Sequence, residues 1–224
     1  MTGTLRYGFA LVIAGALAAC SGLIPDQAVN DVFGLDGVQV TATTEGAMGA
    51  AVGPALAGST QVTGTFATQV TSNGFPDLPG IVRVASISDV ITIQAAVELS
   101  APGSVAFAEA YTITGVSIGL VVSDAGATVI DRTWDASDLE LTFSGDATYD
   151  AGSDTTSGTY LVEAEVPLVT LLVQGAAVTA FVDALGDGAT LDVAGTIGVD
   201  LQPAFPLGAE LTFTLKSLGG TLTF

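Results

Sequence analysis

Beyond about residue 36, apolar and polar side chains alternate with a period of two along most of the chain, the pattern of strands that give one face to a core and the other to water. The clearest run is Ile91 to Leu99, where Ile91, Ile93, Ala95, Val97 and Leu99 share one side and Thr92, Gln94, Ala96 and Glu98 the other. The same alternation marks Val62 to Val70, Leu139 to Phe143, Tyr160 to Val166, Leu191 to Leu201 and Leu211 to Leu215, each bounded by Gly, Asp, Ser or Pro. Between Val105 and Val122 the apolar phase runs through Phe107, Tyr111 and Ile113, then slips by one at Gly115 to Val116, Ile118 and Leu120. A β-bulge at Gly115 accounts for the slip. About ten strands with short turns and no βαβ rhythm predict a mainly β fold, an antiparallel β-sandwich or a partly closed barrel.

One segment breaks the pattern. Over residues 167–185, Leu168, Leu171, Leu172, Val178, Val182 and Leu185 fall on one helical stripe, with Pro167 suited to the first helical position and Gly186 to the C-terminal cap. The stripe predicts a helix about 28 Å long that plugs one end of the sheets or covers a sheet face. The β-branched residues Val169, Thr170 and Val173 leave a strand over Leu168 to Val173 as the alternative.

The N-terminus reads differently again. Arg6 precedes an apolar stretch from Phe9 to Leu17, followed by small residues and by Cys20, the only cysteine. The stretch is too short to span a bilayer, which takes about 20 apolar residues, and Ser21, Gly22, Pro25 and Asp26 interrupt it. This arrangement resembles the signal peptides of bacterial lipoproteins, with Leu17-Ala18-Ala19-Cys20 in the place of the lipobox. The resemblance implies export, cleavage before Cys20 and acylation of Cys20 with palmitate or a similar chain, which would make the lipid bilayer a partner through that residue. Multiple acyl chains anchor stably where one does not. Ser21 permits an outer-membrane address where the organism has an outer membrane; otherwise the anchor lies in the cell membrane. On this reading residues 1–19 are a signal peptide, 20–36 a lipidated tether reaching at most about 50 Å, and 37–224 a single β-rich domain.

Charge narrows the partners. Without the signal peptide, Arg83, Arg132 and Lys216 stand against 23 acidic residues. Such a field repels phosphate backbones, which excludes nucleic acid, and disfavours adsorption to anionic headgroups. With one cysteine no disulfide forms within the chain, so stability has to come from burial, and 49% hydrophobic residues supply the means.

Little chemistry is legible. The chain has no histidine, the commonest general base and metal ligand. No Gly-x-Ser-x-Gly, Ser-x-x-Lys or phosphate-loop pattern occurs. Asp131, Asp135, Asp138 and Glu140 surround Trp134, the only tryptophan, so Trp134 and Asp135 are the ligand candidates and the acids a conceivable glycan-hydrolysing set. The bland alternative is a solvated strand edge and a core-anchoring tryptophan. Calcium is the one cofactor considered, with Asp146, Asp150 and Asp154 in one Gly/Ser-rich loop and Asp183, Asp187 and Asp192 after the helix as candidate ligands. Phe224 at the C-terminus resembles the closing aromatic of outer-membrane barrels, whereas packing in the core needs no membrane. The favoured expectation is a non-catalytic envelope lipoprotein that binds or displays. A carrier of a hydrophobic ligand or lipid in an apolar cavity is the alternative, ahead of a glycan-acting enzyme or a membrane barrel.

Overall fold

The computed structural model describes residues 25–44, 58–71, 83–162 and 166–224, so Cys20 and the expected signal peptide lie outside the described residues. The strands are β1 (Gln27–Val29), β2 (Gln39–Thr43), β3 (Thr60–Val70), β4 (Ser86–Ile93), β5 (Ala96–Pro102), β6 (Ala110–Asp124), β7 (Ala127–Asp150) and β8 (Thr155–Leu161). They continue with β9 (Val169–Gln174), β10 (Leu191–Gln202) and β11 (Glu210–Thr223), and helix α1 (Ala176–Gly186) lies between β9 and β10. All of their pairings are antiparallel. The fold is mainly β with one helix, as the alternation predicts.

Eight strands close into a barrel in the order β2, β3, β10, β6, β7, β8, β5, β11 and back to β2. Closure gives each of these strands a partner on both sides over at least part of its length, which shortens the exposed edges of an open sheet. β11 is long enough to serve twice. Its first part pairs with β2 and β5, its second with β4 and β1, and β9 then adds to β4. Below the barrel this lower tier is completed by residues 31–38, which exchange backbone hydrogen bonds with β11 (Gly37 N to Leu215 O, 3.0 Å; Leu215 N to Val38 O, 2.8 Å).

The inward phase of the strands is apolar and buried. Tyr111, Phe143, Tyr160, Phe205 and Phe213 are at most 1% accessible. Tyr111 packs edge-on against Phe205 (4.6 Å) and Tyr160 (5.3 Å), and Phe143 completes the cluster. Side chains this inaccessible leave no room for a water beside them, as expected where an eight-stranded barrel is filled by its own residues. Loop 103–109 crosses one end of the barrel. Tyr160 Oη donates to Ala108 O (2.7 Å), Ala108 N donates to Tyr111 Oη (3.1 Å), and Thr156 Oγ1 donates to Gly103 O (2.7 Å). The outward phase is polar: Gln61, Thr63, Thr65, Thr133, Asp135, Asp192 and Thr196 are exposed. That polarity is the reverse of a membrane-spanning barrel, whose apolar band faces outward. Phe224 packs against the core just past β11.

Several expectations shift. The helix predicted over 167–185 begins at Ala176, and residues Val169–Gln174 form strand β9, the alternative signalled by Val169, Thr170 and Val173. Leu168, Val169, Leu171 and Val173 are buried and Leu172 is exposed, so period two governs here despite the helical stripe. Gly175, at φ 72°, makes the turn that precedes the helix, in place of Pro167. The predicted run Ile91 to Leu99 spans β4 and β5, which lie end to end along β11 with an offset at Gln94–Ala95 that leaves Ala95 exposed. The bulge at Gly115 is present: Ile113 pairs with Leu141 and Gly115 with Ser137. Residues 27–36 are folded, although the sequence reading places them in a tether. Val29, Val32, Phe33 and Leu35 are all buried.

Gly34 is the tightest point of that segment. It sits at φ +67°, and a Cβ there would lie 2.7 Å from the backbone oxygen of Gln69. Gly34→Ala therefore combines left-handed strain with a backbone clash, and is expected to destabilise the protein by about 2 kcal/mol, read from the urea midpoint at constant m-value. Gly37→Ala, also left-handed but with open space around its Cβ, separates the strain from the clash by costing less.

Candidate functional site

The barrel's longest lapse in pairing runs along β7. Between Ala127 and Phe143, β7 is paired only with β6, because β8 joins it only from Ser144 onward. β9 is paired only with β4. These two free edges face each other, and side chains join them where a ladder does not: Trp134 Nε1 and Arg132 Nη1 both donate to Leu172 O, at 3.0 and 3.1 Å. Behind the seam Phe33 packs against Trp134 (6.5 Å) and Phe181 of α1 (5.7 Å), so the indole is held by its polar tip and its apolar body. Beside it opens a cleft of about 600 Å³ lined by residues 133–136 of β7 and 167–170.

Trp134 thus serves first as the structural anchor that the bland reading expects. Asp135, its neighbour, is exposed on the opposite, outward phase of β7, yet both residues line the cleft. The other acids disperse. Asp131 is outward on β7, Asp138 sits at φ 68° in the irregular stretch opposite Thr114, and Glu140 is exposed beyond it. Among the cleft's lining residues Asp135 is the single carboxylate. Two carboxylates flanking a bond are what glycoside hydrolysis needs.

Three of the six calcium candidates accept hydrogen bonds within the protein. Asp150 accepts from Gly152 N and Ser153 Oγ (both 2.9 Å), bonds that hold its carboxyl below the usual range, and shapes the β7–β8 turn. Asp154 accepts from Tyr149 Oη (2.7 Å), and Asp146 lies further down β7. Asp183 is on α1, Asp187 at its C-terminal end, and Asp192 on β10 accepts from Gln69 Nε2 (2.8 Å). Among the described residues no three acids converge on a point that could hold a metal ion.

The most perturbed carboxyl is one the alternation overlooks. Asp89 occupies the inward phase of β4 with Ile87 and Ile91 and is fully buried. Its Oδ2 accepts from Val32 N (3.1 Å) and its Oδ1 from Ser217 Oγ (2.6 Å), tying the 31–38 segment and the β11 bulge to β4. Desolvation pushes its pKa up to about 6; the Ser217 hydroxyl opposes the shift, nearby Asp31 adds to it, and the Val32 and Val90 amides oppose it. Asp31 itself is raised by burial against the pull of the Asp36 and Leu35 amides. A carboxylate in the apolar phase of a strand is a signal present in the sequence.

No protein-family model and no curated protein matches the chain. Among solved structures the chain is similar to one described as TmCBM61 in complex with beta-1,4-galactotriose, with 10% identity, a TM-score of 0.24, and coverage of 89% of this chain and 92% of that one. A TM-score that low leaves function to be argued from this chain's own residues.

Asp89 gives a signed prediction. Its folded pKa lies above the unfolded value, so between about pH 4 and 6 the folded state holds a proton that the unfolded state releases, and the group's contribution to stability grows as pH falls through that window. The shift corresponds to an effect on the order of 2–3 kcal/mol. Asp89→Asn keeps an acceptor for Val32 N and offers a donor to Ser217 Oγ, so it is expected to be at least as stable as the wild type at pH 7 and to lose this pH dependence. Asp89→Ala is expected to cost about 2 kcal/mol. Urea unfolding at pH 7 and pH 5 checks all three.

Proposed function

We propose that the chain is a lipid-anchored protein of the cell envelope whose β-domain works without catalysis, by binding or display through its outer surface. The observation that carries this reading is the filled interior: the inward phase of the barrel is occupied by its own aromatic and aliphatic side chains, with Tyr111, Phe143, Tyr160 and Phe205 at its centre. Polar and acidic side chains face outward, where a partner can reach them. A lipid carrier needs an apolar cavity, and the packed barrel speaks against carriage there. A carboxylate hydrolase needs a second acid beside Asp135.

The anchor rests on the lipobox-like Leu17-Ala18-Ala19-Cys20. The first strand of the described residues begins at Gln27, seven residues after Cys20, so an acylated Cys20 would lie at most about 25 Å from β1. The domain would ride close to the bilayer, with its acidic surface opposing flat adsorption to anionic lipid.

Intact-mass analysis and palmitate labelling of the protein expressed in a bacterium test the anchor. The expected product begins at Cys20, carries acyl chains and fractionates with membranes, while Cys20→Ser is unlabelled and leaves the membrane fraction. A wild-type chain that takes up no label overturns the proposal.

A further inference from the structure

The geometry points to the β7–β9 seam as a docking site for an extended, basic segment of a partner polypeptide, which would add its backbone to the free strand edges and set a lysine or arginine against Asp135. The inference rests on the reading of the domain as a binding module and names its site and partner. Three observations carry it.

The first is main-chain chemistry. β7 from Ala127 to Phe143 keeps one edge without a strand partner among the described residues, a longer unpaired stretch than those left on β3 or β5, and β9 keeps one edge open beside it. Free edges of this kind pair with extended chains, and such pairing is a recurrent mode of peptide recognition. The two donors at Leu172 O cover only one point of the β9 edge.

The second is space. The cleft opens next to that covered point, between residues 133–136 and 167–170. Four residues of strand span about 10–13 Å, room for a short extended stretch. The third is charge. Asp135 lines the cleft and Asp131 stands two outward positions away on the same strand, while no lysine or arginine is among the lining residues. The nearest cation, Arg132, is turned to Leu172 O across the seam, so a basic ligand complements Asp135 and Asp131, and the strongly acidic chain attracts one. Thr133 and Thr170, both exposed, add hydroxyls to the rim.

The test uses the full-length chain in detergent and a library of short random linear peptides displayed on phage, with enriched sequences resynthesised. The expected result is enrichment of basic, β-prone peptides. Their binding should slow amide exchange at Thr133–Ala136 and Leu168–Thr170, and weaken by about tenfold or more in Asp135→Lys. Thr170→Trp, which fills the cleft from an exposed position, should abolish binding, and circular dichroism confirms that both variants fold. The inference is overturned if no peptide is enriched, if protection falls elsewhere, or if binding is indifferent to both substitutions. Acylation of Cys20 is measured separately, so failure of the docking site and failure of the envelope assignment are told apart.

Discussion

Closure of the antiparallel ladder is the constraint on which the rest of this structure depends. Once β2 and β5 both pair with the first part of β11, the barrel has no free edge there, and the inward positions of all eight strands face one narrow interior. Tyr111, Phe143, Tyr160, Phe205 and Phe213 occupy it, and the hydroxyls of Tyr111 and Tyr160 are satisfied by the backbone of loop 103–109. The buried side-chain nitrogen and oxygen atoms of the described residues all have partners. Filling and satisfaction together underlie the proposal that the molecule meets others through its outer surface.

The lower tier obeys the same constraint less completely. Here the second part of β11 carries β1 and β4, β9 adds to β4, and the ring is finished by the 31–38 segment on one side and by the β7–β9 seam on the other. Each closure uses polar side chains where a ladder is missing. Asp89 draws Val32 and Ser217 together inside, and Trp134 with Arg132 holds Leu172 at the seam. The first is buried and titratable; the second borders an open cleft.

Much of the fold is legible from period two alone, because a strand with one wet face writes its orientation into every second residue. The slip at Gly115 appears in the sequence as a change of phase and in the structure as a register shift between Ile113 and Gly115. The helix start is not so legible: Leu168, Leu171 and Leu172 satisfy a helical stripe by coincidence, and only pairing with β4 decides for a strand. Residues 27–36 lack an alternating pattern because they enter the core as a short strand and turns, so burial of Val32, Phe33 and Leu35 is a tertiary fact. Trp134 could be singled out as unique, but its role depends on β9, which is distant in sequence. Proximity to Trp134 in sequence marks Asp135, and alternation places the two on opposite faces of one strand that borders a cleft.

The central claim is that the domain works by its surface because its interior is full. Non-denaturing mass spectrometry of the chain, extracted from membranes in mild detergent, tests this most directly. The expected result is a folded species whose mass is that of the polypeptide from Cys20 onward plus its covalent acyl chains. A further lipid or other hydrophobic molecule held in stoichiometric amount and released only on unfolding would contradict it.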